Sequence, residues 1–325
     1  MIKPDFMRAL WIENQQLSMR TDIVPGQQND GVEVDVTLAG ICGTDLELLR
    51  GYYDFVGVPG HEFVGEIASG ARKGERVVAD INFGCGKCEQ CRLLGSHHCS
   101  ERQVLGIKSA TGAFAEKINV PQQNLVSVPD HVPNWQAAQV EPLAAAMQIL
   151  KQITVDQRRV LLVGAGRLGR MVIRVIQALS PSTDLQVCVR DTRRAAEQIT
   201  ADFVAPNQVE AGRYDVTVDC TGHPDGFASA LKAVKPRGTV VVKSTYADVL
   251  TLNMSRIVVD EISVQGSRCG NIQAAIDCLA QGRISLPEQR LVYLPIEAFA
   301  SAFDQASEAG TEKVFFQFRQ DSTGS

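Results

Sequence analysis

Four cysteines crowd into residues 85–99, CGKCEQCRLLGSHHC, where Cys85, Cys88, Cys91 and Cys99 stand three, three and eight residues apart. Thiols this close form a disulfide knot, a redox relay or a metal cage. The other five cysteines (Cys42, Cys188, Cys220, Cys269, Cys278) are scattered, and the N-terminal stretch lacks the unbroken apolar run of a secretory signal, so a disulfide framework is not expected. A redox pair needs only two thiols. Four thiolates can instead close a tetrahedral shell around zinc with no position left for substrate. The expected role is therefore structural, with metal binding energy becoming folding energy for a loop that has no core of its own. An iron–sulfur cluster is the alternative occupant. Lys87 and Arg92 are close enough to offset part of the anionic charge, and His97 and His98 are expected to be solvated loop residues.

A second set lies upstream in GICGTDLELLRGYYDFVGVPGHEFVGEI, residues 40–67, with Cys42 in a glycine-flanked turn and His61–Glu62 after Pro59–Gly60. One thiolate, one imidazole and one carboxylate are the mixed ligands of a zinc that keeps a position open for chemistry. A further acid, Glu141, precedes Pro142 and an apolar helical run, which places it at a helix start. Singly, Cys42 reads as a small core hydrophobe and Glu141 as a helix-start charge. Together, and beside the cage, the bland readings need several coincidences.

These residues need rigid elements to hold them. From residue 158 the chain reads RRVLLVGAGRLGRMVIRVIQALS: a short apolar run, then Gly164-x-Gly166-x-x-Gly169, then a helical pattern. GxGxxG alone is weak, but between a strand and a helix it is a dinucleotide fingerprint. Gly164, Gly166, Arg167, Leu168 and Gly169 are the expected cofactor-binding residues, with the helix N-terminus facing a pyrophosphate. Further apolar runs at LQVCV, DVTVDC, TVVVKS and EISVQG, separated by helix-length segments, predict a parallel, doubly wound α/β sheet. Asp191, 22 residues after Gly169, is near the distance at which an acid binds the ribose hydroxyls and repels an added phosphate, which favours NAD. Arg190, Arg193 and Arg194 flank it and suit the 2′-phosphate of NADP, or are a solvated helix start.

The motifs GICGTD, GHEFVG, the cage spacing, GAFAEK, VEPLAAA and the glycine-rich turn together resemble the zinc-dependent medium-chain alcohol dehydrogenases, nearest the polyol (sorbitol) and threonine dehydrogenase branch. The likeness runs over nearly the whole chain. It implies a mainly β GroES-like catalytic domain at about 1–148 and 282–325, with KVFFQF as its last strand. A Rossmann domain would occupy about 149–281. It implies two zincs per chain: one in the cage, the other held by Cys42 and His61 with Glu62 or Glu141 completing the shell. It also implies hydride transfer between a small alcohol, polyol or hydroxy compound and NAD(P), with zinc acting as a Lewis acid on the alcohol oxygen. Thr44 matches the hydroxyl that starts the proton relay. Where many relatives carry a relay histidine, this chain has Glu47, and Gly43 replaces an arginine that some relatives place beside it. The turn GSRCG matches the segment below the nicotinamide, where Arg268 serves either the cofactor or local structure. Leu48, Tyr52, Tyr53 and Phe55 are candidates for the pocket wall.

With a net charge of −5, the chain is a poor fit for wrapping nucleic acid, and it has no apolar run long enough to span a membrane. A cytoplasmic enzyme is expected, assembling as a homodimer or homotetramer through the sheet edge of the nucleotide domain, as the family does. The competing reading is a catalytically silent NAD(P)H-binding sensor or scaffold on the same fold, for which Glu47 is the one sequence argument.

Overall fold

The computed structural model describes residues 6–28, 30–245, 249–308 and 310–319. The chain divides into two units: Met1–Glu141 with Asn271–Gln281 and Leu286–Ser325, and Pro142–Gly270 with Gly282–Ser285. From residue 320 onward the polar tail lies outside the described residues.

The chain opens with β1 (Met7–Glu13), β2 (Gln16–Ile23), β3 (Gly31–Gly40), α1 (Gly43–Leu49), β4 (Glu62–Ile67) and β5 (Arg76–Ala79). Next come β6 (Asn82–Phe83), α2 (Glu89–Leu93), β7 (Gln103–Leu105), β8 (Ser109–Ala110), β9 (Lys117–Pro121), β10 (Leu125–Ser127), α3 (Asn134–Ala137) and α4 (Val140–Gln152). The middle alternates β11 (Arg159–Val163), α5 (Arg167–Leu179), β12 (Asp184–Cys188), α6 (Thr192–Ala196), β13 (Asp202–Val204), β14 (Tyr214–Asp219), α7 (Pro224–Ala233), β15 (Val234–Val242), α8 (Ser255–Val259) and β16 (Ser263–Gly266). The chain closes with α9 (Ile272–Ala280), β17 (Leu291–Leu294), α10 (Phe299–Ser307) and β18 (Lys313–Gln317).

In the first unit the main sheet runs β10-β5-β4-β3-β18-β17, with β9 also paired to β3. β1 and β2 form an antiparallel pair joined through Asn14 and Gln15, both at positive φ, as a two-residue hairpin turn requires. β6, β7 and β8 make a small sheet that flanks the cysteine loop. The antiparallel register sets Gly40 opposite Glu62, so the end of β3 and the start of β4 lie side by side. That register brings Cys42, two residues past Gly40, to the same edge as His61 and Glu62.

The second unit is a six-stranded sheet, β13-β12-β11-β14-β15-β16, in which every pair is parallel. The strand order is that of a doubly wound dinucleotide fold, reversing between β11 and β14. The central strand β11 is almost continuously buried (Val160–Val163), because a parallel sheet with helices on both faces hides both sides of its strands. The runs LQVCV, DVTVDC, TVVVKS and EISVQG, at 185–189, 215–220, 239–244 and 261–266, overlap the observed strands β12, β14, β15 and β16. β13, only three residues long, had no periodicity by which to be found.

Candidate active site and metal centres

The cage forms as a cage. Cys85 Sγ and Cys91 Sγ are 4.0 Å apart, and Cys88 Sγ and Cys99 Sγ 3.8 Å. All four sulfurs lie within 4.8 Å of one another and none is in a disulfide. A tetrahedron of sulfurs about 2.3 Å from a central zinc has edges of roughly 3.8 Å, whereas a disulfide needs about 2.05 Å. The spacing fits one shared cation. Backbone N–H groups help hold it: Cys85 N donates to Cys99 Sγ at 3.4 Å and Cys91 N to Cys88 Sγ at 3.3 Å. The N–H groups of Lys87 and Cys88 pull the Cys85 thiol down to about 6, so a thiolate is available there at neutral pH. His98 is exposed as expected. His97 is not simply solvated, since its Nε2 lies 3.1 Å from Asp80 Oδ2 and ties the loop to the strand region before β6.

The second set also converges. Ligand atoms of Cys42, His61 and Glu62 lie within 4.8 Å of one another, and His61 and Glu62 are 3% and 1% exposed. Glu141, in the first turn of α4, stands outside that group. His61 Nδ1 and both Glu62 carboxylate oxygens are buried without a hydrogen-bond partner among the described residues. Glu62 Oε2 is ion-paired with Lys313 Nζ, a contact of charge rather than of hydrogen-bond geometry. Buried polar atoms are rarely left unserved, and a soft thiolate, an imidazole and a carboxylate with spare lone pairs suit zinc. The residues fit the metal. Glu62 is the carboxylate placed with Cys42 and His61; Glu141 is not.

Asp45 is the residue that sequence reasoning passed over. It is fully buried and joins three parts of the site. Oδ2 accepts from Cys42 N at 2.8 Å, Oδ1 accepts from Gly60 N at 3.2 Å, and Oδ1 lies 3.5 Å from His61 Nδ1. Burial lowers the His61 pKa, but the Asp45 carboxylate and the Cys42 sulfur outweigh it and hold the imidazole well above its ordinary range. The signal was present as an acid three residues after the cap position Cys42, the spacing of a capping box. Residues that orient a metal's ligands typically cost 10–100-fold in affinity when lost. Asp45→Asn is accordingly expected to weaken zinc binding at the Cys42 site by roughly that factor, measured by chelator competition. Unchanged affinity would refute the orienting role.

Thr44 Oγ1 stands 3.8 Å from Cys42 Sγ, so the hydroxyl borders the candidate metal site. Glu47, on the same helix, is half-buried and ion-paired with Arg50 at 2.6 Å. Among the proposed wall residues, Leu48 is buried and Tyr53 is 61% exposed at a positive φ.

In the second unit, Gly164 has φ +95, and a Cβ on Gly169 would stand 2.2 Å from Gly164 O. The turn therefore closes only with glycine at both positions. Gly166 caps the thirteen-residue α5 and has open space where a Cβ would point. Arg167 and Leu168 open that helix. Asp191 is exposed and caps α6, its Oδ1 accepting from Arg194 N at 2.9 Å. Arg268 is exposed, and its carbonyl accepts from the buried Lys243, whose Nζ also lies 3.3 Å from Ser267 Oγ. Lys243 thus clamps the GSRCG turn, a role that no sequence signal announced. No helix among the described residues is long and apolar enough to cross a membrane.

Two family descriptions match the chain: the alcohol dehydrogenase GroES-like domain over residues 28–130 and the zinc-binding dehydrogenase family over residues 186–281. The chain is 29% identical over 311 residues to the starvation-sensing protein RspB of Escherichia coli K12, covering 88% of this chain and 91% of that protein. It is 25% identical to the D-arabitol-phosphate dehydrogenase of Enterococcus avium, covering 90% and 92%. Among solved structures, RspB of E. coli CFT073, an alcohol dehydrogenase complexed with NADH, superposes with a TM-score of 0.86 at 27% identity, covering 96% of this chain and 99% of that one. The two matched segments stand in the order in which the chain builds its two units, and the relatives share nearly its full length: the chain belongs to the zinc-dependent medium-chain alcohol dehydrogenase family.

Proposed function

We propose that this chain is an NAD-linked oxidoreductase that reversibly oxidises a secondary alcohol of a small polyol, polyol phosphate or hydroxy compound to the ketone. The observation that carries this reading is the convergence of Cys42, His61 and Glu62, whose ligand atoms lie within 4.8 Å of one another with the imidazole and the carboxylate buried. Cys42, His61 and Glu62 would hold the catalytic zinc, and Cys85, Cys88, Cys91 and Cys99 a second, structural one. When bound, zinc supplies Lewis acidity toward the alcohol oxygen and the nicotinamide supplies the hydride acceptor. Asp45 fixes the imidazole of His61. Thr44 Oγ1, beside Cys42, would accept the substrate's hydroxyl proton while handing its own hydroxyl proton on, and the carboxylate of Glu47, partly exposed on the same helix, would take that proton up and release it to solvent.

The glycine turn Gly164–Gly169 and α5 would hold the pyrophosphate, Asp191 the ribose, and the turn around Arg268 the nicotinamide end. In functional terms the catalytic domain would be 1–148 with 282–325, and the cofactor domain 149–281. NAD is favoured over NADP because a carboxylate at Asp191 repels a 2′-phosphate. The polyol class follows the arabitol-phosphate relative. β16 ends the six-stranded sheet, and Val258, Val259 and Val264 around it are exposed, so a homodimer joined at that edge is the proposed assembly.

The test is a panel of polyols, polyol phosphates, secondary alcohols and hydroxy-amino acids with NAD and with NADP, followed by nicotinamide absorbance, with sedimentation of the same preparation. Turnover with NAD exceeding that with NADP, from a dimeric or tetrameric particle, is the expected result. NADH binding without turnover on any substrate would favour the sensor reading, to which the name of the E. coli K12 relative and the engaged carboxylate of Glu47 lend support.

A further inference from the structure

A cleft of about 830 Å³ opens in the first unit against Cys85 of the cage, and the reaction outlined above does not use it. Cys42, His61 and Glu62 are not among its lining residues. The volume lies within the roughly 300–1,000 Å³ of small-molecule sites. Separate parts of the fold build the walls. Phe83 ends β6, Gln103 opens β7, and Pro121 ends β9 with Gln122 and Gln123 in the turn after it. Gln28 and Asp30 lead into β3, and Arg72 lies in the turn between β4 and β5. These walls are held in place by the fold itself. Phe83 is the strand partner of Gln103. Gln28 N donates to Asn119 Oδ1 at 2.9 Å and Gln122 N to the Asp30 carbonyl at 3.1 Å, which fixes the segment before β3 to β9 and its following turn. Asn124, buried at the end of that turn, donates through Nδ2 to the carbonyls of Asp80 and Asn82 at 2.9 and 3.0 Å.

The lining sorts by depth. Phe83 and Pro121 are buried apolar surface, Gln28 and Gln103 are half-buried, and Gln122, Gln123, Asp30 and Glu101 are exposed. The inner polar side chains are therefore uncharged carboxamides, which donate and accept hydrogen bonds at once, as a hydroxyl does. The charges do not suit an anion. The Arg72 guanidinium is closed on Glu75 by two bonds of 2.6 and 2.7 Å, and the carboxylates of Asp30 and Glu101 repel a phosphate. A cation would meet those two carboxylates only at exposed positions, where water weakens the attraction. A small molecule with several hydroxyls fits both parts of the lining. Its oxygens match the amides, and its carbons match Phe83 and Pro121.

We propose that this cleft is a second small-molecule site, separate from the Cys42 set, and that its ligand is an uncharged sugar or polyol. Gln28 and Gln103 hold the hydroxyls at depth, and Gln122 and Gln123 hold them at the mouth. The proposal does not depend on the catalytic-zinc reading, because none of the three residues of that set lines the cleft.

The experiment is saturation-transfer NMR on the full chain without nicotinamide cofactor, titrated with D-arabitol. It is run in the Cys42→Ala background, where the catalytic set is disabled and the polyol that still binds is at the cleft. Arabitol is expected to bind there, and D-glucose to displace it. Adding Gln103→Leu, which removes the amide and keeps most of the volume, should weaken arabitol about three- to tenfold, the scale of lost neutral hydrogen bonds. Gln122→Ala combined with Gln123→Ala should weaken it by a similar factor. Both of those side chains are exposed, so this pair serves if Gln103→Leu does not fold. Inorganic phosphate and methylammonium should leave bound arabitol in place. Absence of arabitol and glucose binding in Cys42→Ala overturns the proposal, as does an affinity that the glutamine substitutions leave unchanged. Displacement by phosphate or methylammonium at lower concentration than by glucose overturns the uncharged ligand class. A wild type that turns over no substrate, beside a Cys42→Ala protein that binds arabitol through these glutamines, would remove the enzyme reading and leave this site standing.

Discussion

Cys42→Ala is expected to abolish dehydrogenase turnover, to lower the zinc content from two per chain to one, and to leave NADH binding intact. The three outcomes have separate physical origins. Cys42 offers the soft ligand of a three-residue set, and the two others, His61 and Glu62, are too few to hold zinc with comparable affinity. The charge stabilisation a Lewis acid supplies is worth several kcal/mol, and each 1.4 kcal/mol is tenfold in rate, so the loss in kcat/KM should be on the order of a thousandfold or more. Nothing in the glycine turn changes: Gly164, Gly166, Gly169 and Asp191 belong to the other unit of the chain. The variant should fold, because Cys42 is only half-buried and the backbone around it is held by Asp45 and by the pairing of β3 with β4. Elemental analysis, fluorescence titration with NADH and steady-state rates are the three readings. Normal turnover in the variant would sink the catalytic-zinc claim. One zinc in both proteins would leave only the cage and move the sensor reading ahead.

Much of this architecture is legible in the order and spacing of the residues, for identifiable reasons. The sulfur cage is local: its four ligands fall within fifteen residues, and spacing alone announces the geometry. The glycine turn is local too, because Gly164 and Gly169 are forced by the backbone of the turn itself. Cys42, His61 and Glu62 are farther apart, yet their residue types mark them, and the register of β3 against β4 brings them together. The residues that sequence alone leaves hidden act through other residues. Asp45 reads as an ordinary charge on a short helix, although its carboxylate accepts from Cys42 N and Gly60 N and lies 3.5 Å from His61 Nδ1. Lys313 reads as the polar first residue of an apolar strand, and its partner is on the opposite side of β3. Lys243 follows β15 and its valines and reaches a turn beyond the next strand. Each of these roles depends on strand order, which a single sequence does not state. His97 differs for a smaller reason: its partner Asp80 lies before β6, outside the loop whose spacing defines the cage.

Cys99→Ser should release the structural zinc and let the loop over residues 84–100 unfold locally while both sheets persist. The loop has little else to hold it. Its helix α2 spans five residues, well below the roughly 12–15 at which an isolated helix becomes even marginal in water. Leu93 and Leu94 are exposed, so they add no core. Cys99 is the one cage sulfur donor that is completely buried, and its Sγ accepts from Cys85 N while touching Cys88 Sγ, so it ties the end of the loop back to its beginning. Losing a structural metal is among the few single changes expected to cost more than about 4 kcal/mol. For a domain of this size a kilocalorie shifts Tm by roughly 2–4 °C, so a fall on the order of 10 °C is expected. Limited proteolysis should cut between residues 84 and 100 in the variant and spare that segment in the wild type. Zinc should drop by one per chain, with the Cys42 site still loaded because its ligands lie just past the end of β3 and at the start of β4 rather than in the loop. An iron–sulfur occupant would betray itself as colour and iron in the wild-type protein. Unchanged zinc, Tm and cleavage pattern in Cys99→Ser would mean that hydrogen bonds such as His97–Asp80 hold the loop without a metal. The four thiols would then need another explanation.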